Sequence, residues 1–257
     1  MEFSFKEETN VKHRMKMEDF SKSTVNFSNK QYETLFCMYD GHSGEITQKY
    51  LQRNFEVVYK SNLTIANKNY EEALKKTIED LNGKLKEFNT NENGSTACIV
   101  HIIKDPKNKK FPYTIYSANL GDTRATLISP NLIKRLTFDH RVTNLNEKLK
   151  LSKAGQPITD PRINGEVMLS RSLGDFHLYK YGICAEPFIQ KTLVSAKTKF
   201  QYLFIGTDGI WDFVTETDIQ KMIPNCLDTE ILNKSIMRLT MSRGCWDNAS
   251  LFVIRLT

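Results

Sequence analysis

The run Leu35-Phe36-Cys37-Met38-Tyr39 is apolar without a break and stops at Asp40-Gly41-His42. Its length and composition read as a buried strand, with the polar cluster at its mouth. A second run, Tyr202-Leu203-Phe204-Ile205-Gly206-Thr207, ends the same way in Asp208-Gly209-Ile210-Trp211-Asp212. Asp-Gly by itself is ordinary turn chemistry. Two buried strands that each deliver an aspartate to one end instead suggest a shared site. A carboxylate in a dry pocket stays ionised only beside positive charge, and a metal ion is the simplest source.

With 257 residues, 40% of them apolar, the chain is long enough for a sizeable core, and one domain spanning 1–257 is expected. The formal charge of +6 comes from lysines scattered over polar helix faces. No dense basic block or aromatic-and-basic stripe marks a nucleic-acid partner, whereas mild basicity suits a phosphorylated one. Five cysteines, with no C-x-x-C pair, read as reduced thiols within apolar runs. No stretch resembles a signal peptide or approaches the roughly 20 apolar residues of a membrane span. The expectation is therefore a monomer working in the cytoplasm, with the nucleus also open to it, and with no membrane partner.

Apolar spacing predicts a helix over Glu45–Lys60 and another carrying Tyr70, Leu74, Thr77, Ile78, Leu81, Leu85 and Phe88, opened by Asn69 with Glu72 as a capping pair. Asn89–Gly94 reads as a loop, and Cys98–Ile103, Tyr113–Ala118 and Ala125–Ile128 read as strands. Asn144–Ala154 reads as a helix closed by Gly155, followed by an extended stretch between Pro157 and Pro161. Phe176–Phe200 is irregular and suggests a surface excursion between core strands. Thr217 with Gln220 looks like a capping box, Ile231–Leu239 is helical, and Leu251–Leu256 is a strand. Strands come in runs with helices grouped between them, so the class is α+β, most simply two sheets with helices outside.

Asp19, Asp40, Asp122, Asp208, Asp212 and Asp247 all fall where strands or turns begin or end. Oxygen ligands without cysteine or histidine clusters select hard ions, Mg²⁺ or Mn²⁺. Two such ions about 3.5–4 Å apart, bridged by one carboxylate, would activate a water and hold a transferring phosphoryl group.

Eight blocks sharpen this reading. They are Arg14-x-x-x-Glu18-Asp19, Tyr39-Asp40-Gly41-His42-Ser43-Gly44, Gly94-Ser95-Thr96-Ala97, Asn119-Leu120-Gly121-Asp122-Thr123-Arg124, Leu136-Thr137-x-Asp139-His140, Ser170-Arg171-Ser172-Leu173-Gly174-Asp175, Thr207-Asp208-Gly209-Ile210-Trp211-Asp212 and Asp247-Asn248. In this order, over nearly the whole chain, they resemble the metal-dependent serine/threonine phosphatases of the type 2C (PPM) family.

The resemblance implies a central β-sandwich of two mainly antiparallel sheets with helices on both outer faces, a four-layer αββα arrangement. The excursion at about 176–200 then resembles a compact form of the family's flap. The implied reaction is hydrolysis of phosphoserine and phosphothreonine monoesters on protein substrates by a metal-bridging water. Asp40 would bridge two Mg²⁺ or Mn²⁺ ions, Gly41 would offer its carbonyl to one, and Asp208 and Asp247 would bind the other. Glu18 and Asp19 would hold metal-bound water, and Asp122 and Asp212 match positions serving a weaker third ion. Arg14 resembles the phosphate-binding arginine, for which a bidentate guanidinium is well suited. His42 resembles the general acid that protonates the leaving alkoxide.

Ser43 stands where a second glycine is usual, Val142 where a proline is common, and Lys12 where glycine is frequent. Arg171 and Asp175 read as structural, pairing with each other below the site. His13, His101, His140 and His177 read as ordinary structural histidines. The alternative function is a catalytically weak phosphoprotein-binding scaffold on the same fold. Retention of Asp40, Asp208 and Asp247 argues against it.

Overall fold

The computed structural model describes residues 1–88, 92–153, 161–226 and 228–256. Its strands are Glu2–Glu8 (β1), Asp19–Val25 (β2), Glu33–His42 (β3), Gly94–Ser95 (β4), Ala97–Lys104 (β5), Tyr113–Leu120 (β6), Arg124–Ser129 (β7), Leu132–Arg135 (β8), Leu173–Gly174 (β9), Phe188–Val194 (β10), Tyr202–Gly206 (β11) and Ala249–Arg255 (β12). The α-helices are Ile46–Ile65 (α1), Tyr70–Leu85 (α2), Leu145–Lys153 (α3), Asp208–Trp211 (α4), Glu216–Met222 (α5) and Thr229–Ser242 (α6).

One sheet has the order β1-β12-β11-β7-β8, and the other runs β10-β6-β5-β3-β4-β9 with β2 added on β3. All these strand pairs are antiparallel.

The unbroken apolar run of β3 follows from having both faces covered. Leu35, Cys37 and Tyr39 pack with Leu51, Phe55, Leu74 and Ile78 of α1 and α2, while Phe36 and Met38 point the other way, to Leu203, Phe252 and Ile254 of the opposing sheet. β11 splits in the same manner. Leu203 and Ile205 enter the space between the sheets, and Tyr202 and Phe204 pack with Ile219, Leu232 and Ile236 of α5 and α6. Period-two alternation across two cores yields the expected order of layers, helix, sheet, sheet, helix.

Register gathers the acidic residues at one end of the sandwich. Asp19 opens β2 directly opposite Asp40 near the end of β3. Gly206, the last residue of β11, is level with Leu251 and Arg124, so Asp208, Asp247 and Asp122 all lie just beyond paired strand ends. The β6–β7 turn holding Asp122 requires glycine at Gly121. Its φ is +82°, and a Cβ there would stand 2.5 Å from Cγ2 of Thr96.

Several local expectations change. Helix α1 continues to Ile65 because Asn62 and Leu63 are still buried. Phe88 leaves the α2 stripe for a terminal 3₁₀ turn and is exposed. Phe176–Phe200 contains the 3₁₀ helix Phe176–Tyr181 and then β10, an edge strand whose residues are mostly half-buried and so give only a weak alternation. The box opening α5 is Thr215 with Asp218, each side chain bonded to the other's backbone N–H, because the helix starts at Glu216 and Thr217 is already inside it. The expected stops at Gly155 and Pro157, and the start of the Asn89 loop, lie outside the described residues.

Candidate active site

Arg14, Glu18, Asp40, Gly41, His42, Asp122, Asp208 and Asp247 line one cleft of about 330 Å³, with Arg141, Trp246 and Asn248 also on its walls. Its floor is locked by backbone contacts. The Asp40 N–H donates to Thr96 Oγ1 at 3.0 Å, the Thr96 N–H donates to the Asp40 carbonyl at 2.8 Å, and the Gly41 N–H donates to the Glu18 carbonyl at 3.1 Å. A Cβ at Gly41 would meet the Gln48 amide at 2.0 Å and push it off the Glu18 and Gly44 carbonyls that it bonds. Two residues further on, Ser43 has φ +58°, the left-handed region that glycine adopts more readily.

Asn248 fastens the opposite wall. Its Oδ1 accepts from the Glu18 N–H at 2.8 Å, and its Nδ2 donates to the carbonyls of Thr9 and Lys16 at 2.8 and 3.1 Å. One amide thus holds the loop that carries Arg14 and Glu18 beside Asp247.

The electrostatics are those of crowded carboxylates. Burial, then Asp19, Asp208, Asp122 and Asp247, push the Asp40 carboxyl well above the usual range. Asp208 is raised by burial and by Asp122, Asp247 and Asp212, against the opposing pull of Arg141. Burial also lifts Asp122, and Arg141 partly offsets it. Two guanidiniums meet part of this charge: Arg14 Nη2 is 2.5 Å from Asp247 Oδ2, and Arg141 reaches Asp122, Asp208 and Asp212. Asp40 has no cationic partner among the described residues.

Among the described residues, no three acidic, histidine or cysteine groups already stand in ligating geometry. The donor chemistry nevertheless suits a hard divalent cation near Asp40, Asp208 and Asp247, because it is all oxygen and the central carboxylate lacks a counter-charge. Asp122 and Asp212 fit an ion less well, being already engaged by Arg141.

A family model for protein phosphatase 2C matches residues 1–249. The chain belongs to the protein phosphatase 2C family. Protein phosphatase 2C homolog 1 of Schizosaccharomyces pombe is 26% identical to it over 252 residues, covering 98% of this chain and 72% of that one. A solved serine-threonine phosphatase 2C from Toxoplasma gondii matches with a TM-score of 0.78 at 16% identity, over 99% of this chain and 94% of its own. A C. elegans sex determining protein matches with a TM-score of 0.84 at 21% identity, over the whole of this chain and 65% of its own. These two structural likenesses are likenesses of fold. By family the chain is a protein serine/threonine phosphatase, and protein phosphatases 2C are metal-dependent in general.

Within this protein phosphatase 2C frame, two of the expected residues stand apart. Asp19 is buried beneath the cleft, accepts from Thr207 Oγ1 at 3.0 Å and faces a second cavity with Phe5, Glu7 and Phe252. Burial raises its carboxyl to about 7, against the pull of the nearby Ser250 and Thr207 hydroxyls. Asp212 lies at the mouth, 2.9 Å from Arg141.

The expected Arg171–Asp175 pair is not formed. Arg171 binds Glu147 at 2.7 Å, while the buried Asp175 carboxylate sits 2.8 Å from His42 Nε2 and accepts from Ser172 Oγ at 2.6 Å. Asp175 fits there because Gly94 is beside it; a Cβ at that position would meet the carboxylate at 2.1 Å.

His140 keeps its structural role. Burial and Arg171 push it down to about 3, so it is neutral in the core. Sequence reasoning missed Arg141 and Trp246. Arg141 directly follows the Asp139-His140 block, which was its one signal. Trp246 adjoins Asp247, and its ring lies 5.6 Å from the Arg14 guanidinium carbon.

Proposed function

We propose that this chain hydrolyses phosphoserine and phosphothreonine monoesters on protein substrates at the Asp40 cleft, using two Mg²⁺ or Mn²⁺ ions. The observation carrying the reading is the meeting of Asp40, Asp208 and Asp247, from three separate strand ends, in one cleft with Arg14 and His42. Asp40, the Gly41 carbonyl, Asp208 and Asp247 would hold the ions, with Glu18 beside them. When bound, they supply an activated water and neutralise charge on the phosphoryl group.

The remaining work falls to the chain's own side chains. Arg14 binds the phosphate oxygens, exchanging its contact with Asp247 for them, and the Trp246 ring gives the guanidinium a face to rest on. His42 gives a proton to the serine or threonine oxygen as its bond to phosphorus breaks. Asp175 accepts from Nε2–H and orients the ring, so that in the doubly protonated imidazolium the proton left for the substrate oxygen is the one on Nδ1.

Among the described residues no helix is long and apolar enough to cross a membrane. A monomer acting in cytoplasm or nucleus remains our reading of where these substrates are met.

The test is hydrolysis of a phosphothreonine peptide by the metal-stripped chain, with and without added Mn²⁺ or Mg²⁺, alongside Asp208→Asn and Asp247→Asn. Activity should vanish with chelator, return with either ion and stay absent in both folded variants. Full turnover in chelator would refute the metal assignment. Metal-dependent binding of phosphopeptide without turnover would favour the scaffold.

A further inference from the structure

We propose that Arg141 is a built-in counter-cation that bridges the Asp122, Asp208 and Asp212 carboxylates and excludes a third metal ion from the space between them. Its Nε donates to Asp122 Oδ2 at 2.6 Å, while its Nη2 lies 3.3 Å from Asp208 Oδ2 and 2.9 Å from Asp212 Oδ1. One guanidinium thereby engages three carboxylates from two segments, the β6–β7 turn and the single turn of α4.

The arrangement is structural and not a chance surface contact. Asp122 is almost completely buried, and the Arg141 side chain is only 22% exposed. The backbone that aims it is pinned on both sides: the His140 N–H donates to the Gly121 carbonyl at 2.9 Å, and the Val142 N–H to the Met168 carbonyl at 2.9 Å. Arg141 itself forms an isolated bridge with Leu169.

A guanidinium cannot lose its charge in a protein and offers a planar fork of donors that one ammonium cannot match. Mg²⁺ at these carboxylates would need oxygens at about 2.0–2.1 Å in near-octahedral array. The oxygens that would supply that array are already directed at the Arg141 N–H groups. Because the guanidinium is tethered, it competes at a high effective concentration and weakens any ion's hold on the same oxygens. Its contact with Asp208 uses Oδ2 and leaves Oδ1 for an ion shared with Asp40 or Asp247. The chain should therefore hold two ions and reject a third.

This inference rests on the two-ion reading of Asp40, Asp208 and Asp247, and stoichiometry separates the two. Mn²⁺ is titrated calorimetrically into chelator-stripped wild type, Asp212→Asn, Arg141→Met and the Arg141→Met/Asp212→Asn double variant, each checked for folding by circular dichroism. The expected result is two sites in wild type, a third and weaker one in Arg141→Met, and two again in the double variant. A third site in wild type that Asp212→Asn removes would overturn the proposal, even if Arg141→Met did not fold. Two sites in a folded Arg141→Met would overturn it as well, since the freed carboxylates would then have no use for a cation. Loss of all Mn²⁺ binding in wild type would instead strike the parent reading, and this inference with it.

Discussion

Asp175 holds His42 from a position 133 residues further along the chain, its Oδ2 lying 2.8 Å from Nε2. The turn that makes the contact is left-handed. Asp175 has φ +47° and follows Gly174 at φ +77°, a left-handed pair that brings the carboxylate under the ring. A carboxylate at that spot accepts from Nε2–H, so in the doubly protonated ring the proton available to substrate is the one on Nδ1.

The first prediction follows from leaving-group chemistry. A serine or threonine alkoxide leaves poorly without a proton, and a positioned donor contributes about 10²–10⁴-fold; nitrophenolate needs none. His42→Ala should lower kcat on phosphothreonine peptide by that factor and on nitrophenyl phosphate far less. Asp175→Asn should show the same ester-selective loss at smaller size. Equal losses on both esters, at saturating Mn²⁺, would assign the pair to the fold.

Arg14 carries the second. It is one-third exposed and paired with Asp247, so a surface salt bridge is the competing account. Arg14→Ala should raise KM for phosphopeptide several-fold and weaken inhibition by free phosphate, with thermal stability little changed. An unchanged phosphate inhibition constant would leave only the salt bridge.

The third concerns Ser43, whose φ of +58° costs a non-glycine residue roughly 1 kcal/mol. Ser43→Gly should raise unfolding free energy by about 0.5 kcal/mol, the strain relief being partly offset by greater freedom of the unfolded chain. Denaturant unfolding in chelator reads this directly. A loss of stability would show that the hydroxyl makes a contact worth more than the strain.

A pH test can be made far from the carboxylates. Burial tends to raise Glu56, but hydrogen bonds from Lys60, Lys22 and Thr24 outweigh it and bring the carboxyl down from 4.5 to about 2. The acid is stronger in the folded state, so its stabilising contribution is full above pH 4.5 and fades as pH falls towards 2. Glu56→Gln should cost about 1 kcal/mol at pH 7, as for a partly exposed ion pair, and almost nothing at pH 2. A cost that does not change with pH would mean that packing of the side chain, and not its charge, ties β2 to α1.

What could be read in advance divides along physical lines. The two faces of β3 and β11 were legible because burial on both sides leaves an unbroken apolar run, and α2 because its stripe and Asn69 cap agree. β10 was not, since an edge strand with half-buried residues carries little periodicity. Thr217 looked as suitable a cap as Thr215 because the motif alone does not say which residue is already inside the helix. Asp40, Asp208 and Asp247 were visible as abrupt ends of apolar runs. The Asp175–His42 and Arg141 contacts were invisible for another reason: they are made by side chains whose reach is set by loops folding back over large sequence separations.

The Asn248 amide that fastens the Thr9–Glu18 loop has a consequence for the order of synthesis. Among the described residues β1 pairs with β12 alone, and Arg14 and Glu18 are steadied by a residue just before that strand. A ribosome-bound chain that has emerged through β11 can pair β2 with β3 and β5 with β6, yet it still lacks Asp247 and the clasp on its first loop. Metal affinity and phosphatase activity should therefore both appear late, once β12 slides between β1 and β11 and brings Asp247 and the Asn248 clasp to the cleft.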